Sequence, residues 1–374
     1  VLEAKSAGIK TVMITGDSIE TGKNIAQEVG IFEKGSLAVE GCNVEQLSDE
    51  EFPKTTVFAR ASPEDKMNII DCYKKKNHVI AMTGDGVNDA LAISTADIGI
   101  AMGITGTDVA KEAADMVITD DSFNSVIAGI REGRGLFQKI RGIIFFYIAV
   151  NLAEALVYFG SSFMLGFNLL SPLHQMFITF TTHFIPPIAL IIDSLNKDVM
   201  SEKPRDTENI FNKRLIVALL LFSISLSLVL YFGYFGTLYG LIPLFPENKI
   251  GFHTGFISTS LAQAKARTLL YTILVVAECT LVISLRRINK PIPRILVEDN
   301  NWVIWSFILI IPAILIALMY LPEIRINSVR FIITNLELVR LTSLDWATAI
   351  LLGLIPIALL EFYKMWVKRR GLFF

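Results

Sequence analysis

Long apolar stretches separated by short charged loops dominate the chain from about residue 143 onward. Six of them reach the roughly 20 apolar residues that a bilayer crossing requires: about 143–166, 172–192, 215–243, 268–285, 302–321 and 346–363. Buried core helices of a large soluble domain are the alternative. Six such runs in succession, with no polar face between them, favour membrane helices. We therefore predict an all-α transmembrane domain over 143–374.

Basic residues concentrate in alternate loops of this region. They are Arg131, Arg134, Lys139 and Arg141 before the first run, Lys197, Lys203, Arg205, Lys213 and Arg214 after the second, Arg286, Arg287, Lys290 and Arg294 after the fourth, and Lys364, Lys368, Arg369 and Arg370 after the sixth. Basic loops face the cytoplasm. We therefore expect a multi-pass membrane protein with residues 1–142 in the cytoplasm. Since Val1 is not an initiator Met, we also expect a fragment.

The composition changes sharply where the apolar stretches begin. The first 142 residues carry 37 charged side chains, whereas the following 232 carry 33. A net charge of -2 leaves no basic excess for a nucleic-acid partner. Three widely spaced cysteines exclude a disulfide scaffold. A charged first part and an apolar second part therefore predict two domains of different class.

The first part alternates buried-strand patterns with helical ones, which predicts a parallel α/β sheet with helices on its faces. The expected strands are Thr11–Ile14, Val57–Ala59, Val79–Met82, Ile98–Ala101 and Met116–Ile118, and the expected helices Ser18–Val29, Pro63–Lys76, Asn88–Ser94 and Asp108–Ala114. Ligands of such sheets bind at the carboxyl ends of the strands. We place this domain at 1–128 and a stalk at 129–142.

Two of these strands run into the tripeptide TGD, at Thr15–Asp17 and Thr83–Asp85. A single TGD is most simply a capped turn, but the second continues as the longer string TGDGVNDA. Its glycines allow close backbone approach to a ligand, and threonine hydroxyls and backbone amides bind phosphate oxygens. Asp85 and Asp89, four residues apart, are hard oxygen ligands suited to Mg²⁺.

Lys66 lies between the two TGD segments. Ser62 and Pro63 predict that a helix begins there, with Lys66 in its first turn. Alone, this lysine would be a solvated surface residue. At the ligand edge of the sheet, it would neutralise a phosphoryl group beside the metal.

These segments resemble a known family. MITGD, VFARASPEDK and MTGDGVNDALAISTADIGIAMG are similar to the phosphorylation domain of P-type cation-transporting ATPases of the calcium-pump type, a branch of the haloacid-dehalogenase superfamily. ADMVITDDSFNSVIAGIREGR resembles the lead into their fifth membrane helix, and SEKPR resembles the loop after the sixth. The resemblance covers nearly the whole chain. It implies a haloacid-dehalogenase-like, Rossmannoid partial domain followed by the last six membrane helices of a pump.

The resemblance also implies roles for single residues. Asp85 would coordinate Mg²⁺, with Asn88 and Asp89 supporting the site, and Lys66 would contact the phosphoryl group. Thr15 and Gly16 would bind its oxygens beside Asp17, and Arg60 would lie near the nucleotide, with ATP as substrate. The implied catalytic residues are Lys66, Asp89 and Thr15.

One motif of the family is absent. Its nucleophilic aspartate belongs to a DKTGT sequence, which does not occur here. We therefore expect this polypeptide alone to be inactive and to need the missing N-terminal part of a pump, in the same or a separate chain. A membrane-tethered phosphatase and a non-catalytic membrane subunit are the alternatives of other classes. The phosphatase would need a DxD nucleophile motif.

Ionisable and polar groups inside the apolar stretches predict a cation path. Asn151 and Glu154 share a helix face, His183 precedes the proline pair Pro186–Pro187, and Glu278 lies mid-span. The prolines would free backbone carbonyls for a cation. Hydrogen bonding between helices is the structural alternative.

The resemblance assigns the transported cation to Asn151, Glu154, Thr179, Thr182, His183 and Glu278. His183 departs from the family, which has a ligating aspartate there. Since Ca²⁺ prefers oxygen ligands, the imidazole weakens the expectation for Ca²⁺. Calcium is the first expectation, and a proton or a monovalent cation is the second.

Overall fold

The computed structural model describes residues 1–166, 169–170, 172–196, 198–204, 210–239, 259–298, 301–320 and 338–370. The chain divides into two compact units. The first comprises Val1–Gly135 and Asn196–Thr207, and the second comprises Leu136–Leu195 and Glu208–Phe374. The boundary at Gly135 lies inside the stretch that the sequence predicts to be a stalk.

The first unit contains six parallel strands in two sheets. Strands β1 (Met13–Ile14), β2 (Leu37–Glu40) and β3 (Thr55–Ala59) form one sheet, in the order β1-β3-β2. Strands β4 (Ala81–Gly84), β5 (Ile98–Met102) and β6 (Met116–Ile118) form the other, in the order β4-β5-β6. The prediction of parallel pairing is confirmed, but the strands form two sheets instead of one, because β1 pairs with β3 and β4 with β5.

Five helices accompany these strands. They are α1 (Leu2–Ser6), α2 (Ile19–Glu28), α3 (Pro63–Lys75), α4 (Ala90–Thr95) and α5 (Asp108–Ala113). Helix α3 begins where the sequence predicts, since the Ser62 hydroxyl accepts from the Asp65 amide and the Asp65 carboxylate accepts from the Ser62 amide. Its Ile69 packs with Phe58 of one sheet, and its Ile70 with Met82 of the other.

Of the five predicted strands, β6 alone has the predicted bounds. Strand β1 begins two residues later, β3 begins two residues earlier, and β5 ends one residue later. The expected strand Val79–Met82 begins two residues later and includes Thr83 and Gly84, because Val79 is exposed rather than in a buried strand. Strand β2 was not predicted, since its side chains are only half-buried and form no strong apolar run.

Helix α6 (Phe123–Leu165) is 43 residues long and continues without a break through the unit boundary. Within the first unit its Arg134 donates to three carbonyls, those of Ala7 at 2.8 Å, Val199 at 3.2 Å and Glu202 at 2.8 Å. The loop at 198–204 is thereby fastened to α1 and α6. A small apolar cluster that includes Ala7 and Val199 supports the same contact.

The described part of the second unit is helical. It contains the end of α6, then α7 (Pro172–Ile178), α8 (Ile185–Ile192), α9 (Lys213–Leu238), α10 (Thr259–Leu285), α11 (Ile292–Glu298), α12 (Trp302–Tyr320) and α13 (Ser343–Arg369). Large side chains such as Phe159, Phe163 and Leu351 are exposed on these helices, as expected where lipid replaces water. Their packed faces form one apolar core that includes Phe146, Phe222 and Leu274.

Five segments of the described chain are long and apolar enough to cross a membrane: Phe123–Phe163, Pro172–Ile192, Lys213–Leu238, Ala262–Leu285 and Ser343–Arg369. Each coincides with a predicted span. The remaining predicted span corresponds to α12, which is apolar but shorter. The predicted end of the third span, beyond Tyr239, lies outside the described residues.

The loop after β5 in the first unit is organised by one carboxylate. Asp121 accepts hydrogen bonds from the amides of Gly103 at 2.6 Å, Ile104 at 2.9 Å and Thr105 at 2.7 Å. Chiefly the Ile104 amide, together with the other donors, lowers the pKa of Asp121 from 3.8 to about 2. A depressed carboxyl pKa stabilises the fold above about pH 4, and this stabilisation is lost as the pH falls through about 2.

We expect Asp121→Gly to release this loop at neutral pH. Glycine keeps the left-handed backbone of Asp121 (φ 50°) and removes the carboxylate. The Gly103 amide keeps its hydrogen bond to the Ile118 carbonyl at 2.8 Å, whereas the Ile104 and Thr105 amides lose their acceptor. Hydrogen exchange of the amides at 104 and 105, followed by mass spectrometry, should then accelerate by at least about tenfold. Asp120→Gly is the matched control, because Asp120 accepts from Ser122 and Ser125 instead. Equal protection of the amides at 104 and 105 in the two variants would contradict the assignment.

Candidate phosphate and cation sites

The first TGD segment forms a turn fastened to the end of β3. The amide of Arg60 donates to the Asp17 carbonyl at 2.8 Å, and that of Ala61 to the Thr15 carbonyl at 3.0 Å. The Asp17 amide donates to the Thr15 hydroxyl at 3.1 Å. A side chain added at Gly16 would meet no atom within 4 Å. The turn is thus held by three hydrogen bonds and has open space at Gly16.

Arg60 lies beside this turn in a left-handed conformation (φ 49°), which is uncommon for a residue with a side chain. Its exposed guanidinium contacts the Glu40 carboxylate at 3.2 Å. Non-glycine residues in this conformation cluster at functional sites, where surrounding structure holds them. Its predicted proximity to a nucleotide stays a prediction.

Lys66 and Asp89 form an ion pair at the carboxyl end of β4. Both side chains are largely buried, at 14% and 13% exposure. Asp89 also accepts from the Gly86 amide at 3.3 Å. Gly84 makes room for this carboxylate, since a Cβ added there would lie 2.5 Å from the Asp89 Cβ. The first glycine of the TGDGVNDA motif is therefore required sterically, next to the lysine that pairs with Asp89.

Asp85 has a different environment from Asp89. It is exposed, and its backbone carbonyl accepts from the Thr107 amide at 2.8 Å, which orders the turn. Its carboxylate makes no hydrogen bond or ion pair with the described residues. A free carboxylate beside Asp89 suits Mg²⁺, which is held by one or two carboxylates and keeps waters or phosphate oxygens as its other ligands. Asn88 is exposed on the same turn.

The predicted phosphate-site residues form two groups. Thr15, Gly16 and Asp17 belong to one turn, whereas Lys66, Asp85 and Asp89 belong to the other. No hydrogen bond or ion pair joins the groups within 1–135, all of which is described. Helix α3 packs on both sheets, and Ile14 at the end of β1 contacts both apolar clusters. The joint role of these residues in phosphate binding stays a prediction.

Three ionisable side chains converge in the second unit. Glu154 of α6, His183 and Glu278 of α10 each offer a ligand atom, and these atoms lie within 4.8 Å of one another. His183 Nε2 is 3.3 Å from Glu154 Oε1 and 3.9 Å from Glu278 Oε1. All three residues are buried, Glu278 completely. Among the described residues, this is the one group of three or more His, Cys, Asp or Glu side chains close enough to hold a metal ion together.

An irregular backbone places His183 in this cluster. The segment Thr179–His183 is a π-helix, which adds a residue to the turn, and α8 begins with Pro186 and Pro187 in its first turn. Such π segments are frequent at functional sites. The Tyr147 hydroxyl donates to the His183 carbonyl at 3.0 Å, which holds the break in place. The helix is interrupted as predicted, but at Thr179–Phe184, just before the proline pair, which lies in the first turn of α8.

The remaining predicted cation ligands lie around the cluster rather than in it. Thr182 is buried and donates to the Ile178 carbonyl at 3.0 Å. Asn151 is exposed and donates to the Tyr147 carbonyl at 2.7 Å, and Thr179 is exposed and donates to the Gln175 carbonyl at 2.9 Å. Their participation in cation binding stays a prediction.

Comparison with known proteins identifies the family to which the chain belongs. A model of the family described as cation transporting ATPase, C-terminus, matches residues 167–366, more than half of the chain. The chain belongs to the cation-transporting ATPase family. A model of the haloacid dehalogenase-like hydrolases matches residues 1–97. The cation-transporting ATPase chain is thus a multi-pass integral membrane protein with a haloacid-dehalogenase-like domain.

Relatives of this chain include proteins named calcium-transporting ATPases. It is 34% identical to calcium-transporting ATPase 1 of Bacillus cereus, over 98% of this chain and 40% of that protein. It is 43% identical to a calcium-transporting ATPase of Bacillus subtilis over 58% of this chain, and 41% identical to the human calcium-transporting ATPase type 2C member 1 over 59%. These alignments cover 25% and 24% of those two proteins. The chain therefore spans two fifths or less of these relatives.

Two hydrogen bonds of the second unit were not predicted from the sequence. Gln175 donates to Glu154 Oε2 at 2.8 Å, and Tyr271 shares a hydrogen bond with Thr181 at 2.8 Å. Gln175 could have been found, because a glutamine inside an apolar stretch is itself a signal of function. Tyr271 gives no such signal, since tyrosine is common in membrane helices.

We expect the glycines of the two TGD segments to respond differently to alanine. Gly84→Ala overlaps Asp89 and should destabilise the protein by about 1–3 kcal/mol, whereas Gly16→Ala meets open space and should stay within about 0.5 kcal/mol. Thermal unfolding in detergent, without nucleotide or Mg²⁺, measures this difference. Equal melting temperatures for the two variants would show that Asp89 is not held against Gly84.

Proposed function

We propose that this chain is the C-terminal part of an ATP-driven pump that couples an aspartyl-phosphate cycle to cation transport, with Ca²⁺ as the first candidate. One observation carries the proposal: a strand-end site with a lysine–aspartate pair and a buried cation-type cluster occur in the same membrane chain. Relatives named calcium-transporting ATPases support the choice of cation. This fragment on its own would be inactive.

In the phosphate half, Lys66 would neutralise charge on the transferred phosphoryl group, and Asp89 would hold the lysine in place. Asp85 and Asp89 would hold Mg²⁺, which screens the phosphate oxygens when bound. Phosphate oxygens would bind at the turn formed by Thr15, Gly16 and Asp17, and Asn88 would contribute to the same phosphate site. Arg60 would face the nucleotide, ATP.

The aspartate that becomes phosphorylated would come from outside this sequence, since no DKTGT occurs in it. Strands β1 and β4 each have one unpaired edge within the described residues, and each is followed or ended by a TGD segment. A strand from the missing part of the pump could complete hydrogen bonding at such an edge. Its carboxyl end would then lie beside the two turns.

In the membrane half, Glu154, His183 and Glu278 would bind the transported cation, with Asn151, Thr179 and Thr182 contributing as it arrives. Helix α6 carries Glu154 and extends without interruption to Phe123, which follows β6. A change in the phosphate half could therefore bias the position of Glu154 through one continuous helix. This is a coupling between two sites and two states.

We expect Lys66→Met in the full-length pump to lower ATP-dependent ⁴⁵Ca²⁺ uptake into proteoliposomes by at least about 100-fold, because a fixed charge at a transferring phosphoryl group is worth that much. Lys75→Met is the matched control. Lys75 lies at the end of the same helix, is exposed and forms no ion pair with the described residues, so uptake should change less than about twofold.

Three outcomes separate the alternatives. Equal uptake in Lys66→Met and wild type would refute the phosphate site. Uptake of protons or a monovalent cation, with no response to Ca²⁺, would select the second choice of cation. Absence of acid-stable labelling by γ-³²P-ATP in the full-length protein would favour a non-catalytic membrane subunit.

A further inference from the structure

The cation cluster contains a nitrogen ligand at its centre. His183 Nε2 lies between the two carboxylates, 3.3 Å from Glu154 Oε1 and 3.9 Å from Glu278 Oε1. We infer that this cluster binds a first-row transition-metal dication, of which Mn²⁺ and Zn²⁺ are examples, in preference to Ca²⁺, with His183 Nε2 as a ligand. The inference rests on the proposed cation pump and names the class of its substrate.

The separations between His183 Nε2 and the two carboxylate oxygens suit ligation of one ion. Zinc binds imidazole nitrogen and carboxylate oxygen at roughly 2.0–2.2 Å, so two ligands of one tetrahedral ion are about 3.4 Å apart. The observed separations of 3.3 and 3.9 Å lie close to this value. The ligands come from three separate helical segments, which is how helical membrane bundles build such sites.

The ligand atoms are buried and without hydrogen-bond partners among the described residues. His183 Nε2, Glu154 Oε1 and both oxygens of Glu278 have none. The contact between His183 and Glu154 is close enough for an ion pair, but its angles are not those of a hydrogen bond. Buried polar atoms are otherwise almost always paired. A histidine that bridges the helices could pair with only some of the carboxylate oxygens, whereas one ion in the cluster would satisfy both carboxylates and the imidazole.

Charge also favours a dication with a neutral imidazole. When both buried carboxylates are ionised they carry two negative charges, and one dication cancels both. Protonation of His183 alone would leave one negative charge in a low-dielectric region. The cluster is therefore neutral when it holds one dication.

The donor types select among dications. Ca²⁺ takes six to eight oxygen ligands and gains little from imidazole. Imidazole suits first-row transition metals, and carboxylates also suit Mn²⁺. The cluster supplies one nitrogen and the oxygens of two carboxylates. A second contact orders it, since Gln175 donates to Glu154 Oε2 at 2.8 Å and leaves Oε1 turned toward His183.

Direct coordination can be tested on the purified full-length pump with Mn²⁺ as the probe. Electron spin-echo spectroscopy, with excess Mg²⁺ to fill the phosphate site, should show modulation from a coordinated ¹⁴N in the wild type. His183→Asp should abolish this modulation, and His174→Asn should keep it. His174 is the matched control because it is a buried histidine of α7 outside the cluster.

The cation preference provides the second measurement. We expect half-maximal ATPase activation of the wild type at a concentration of Mn²⁺ or Zn²⁺ that is at least about tenfold lower than the concentration of Ca²⁺ required. His183→Asp should reverse this order. A third carboxylate favours Ca²⁺, so the reversal would follow from the donor type alone.

The outcomes distinguish this inference from the proposed function. A pump that forms acid-stable phosphoenzyme, prefers Ca²⁺ and shows no ¹⁴N modulation would overturn the inference and leave the function intact. A protein that forms no phosphoenzyme would refute the function. The Mn²⁺ spectrum, which needs no turnover, would still decide whether His183 is a ligand.

Discussion

Charge can be buried among apolar helices only where an opposite charge meets it, and the membrane unit depends on this constraint. Asp193 contacts Arg287 at 2.9 Å. Asp345 contacts Lys265 at 2.9 Å, and Glu361 contacts Lys364 at 2.8 Å. Each of these carboxylates, of which Asp193 and Asp345 are buried and Glu361 is half-buried, has a cationic partner from the chain itself. Burying a charge without such a partner would cost several kcal/mol.

The cluster of Glu154, His183 and Glu278 breaks this pattern. Its two carboxylates face one imidazole instead of a lysine or arginine, and four of its polar atoms have no hydrogen-bond partner among the described residues. The same rule that pairs charges elsewhere in the unit therefore marks this cluster as the place where an exogenous cation would supply the missing charge. The candidate cation site is therefore indicated by the lack of a lysine or arginine partner for these carboxylates as well as by the ligand residues themselves.

Much of the fold and half of each site could be predicted from local pattern. Ser62 and Pro63 predicted the start of α3, and the apolar stretches predicted the long helices, because capping and hydrophobicity act over a few residues. Strand β2 escaped prediction because its half-buried side chains give no periodic signal. The π-helix at Thr179–His183 was not predicted either, since a single extra residue in a turn does not change the hydropathy pattern.

The sequence by itself determined the membrane class of the second unit, the α/β class of the first and the identity of every candidate ligand, because these depend on composition and short-range chemistry. Only the tertiary structure decided which of those ligands meet. It joined His183 to Glu154 and Glu278 while leaving Asn151 exposed, and it paired Lys66 with Asp89 while leaving Asp85 free. Such convergence depends on how helices and strands distant in the chain pack, which local sequence does not encode.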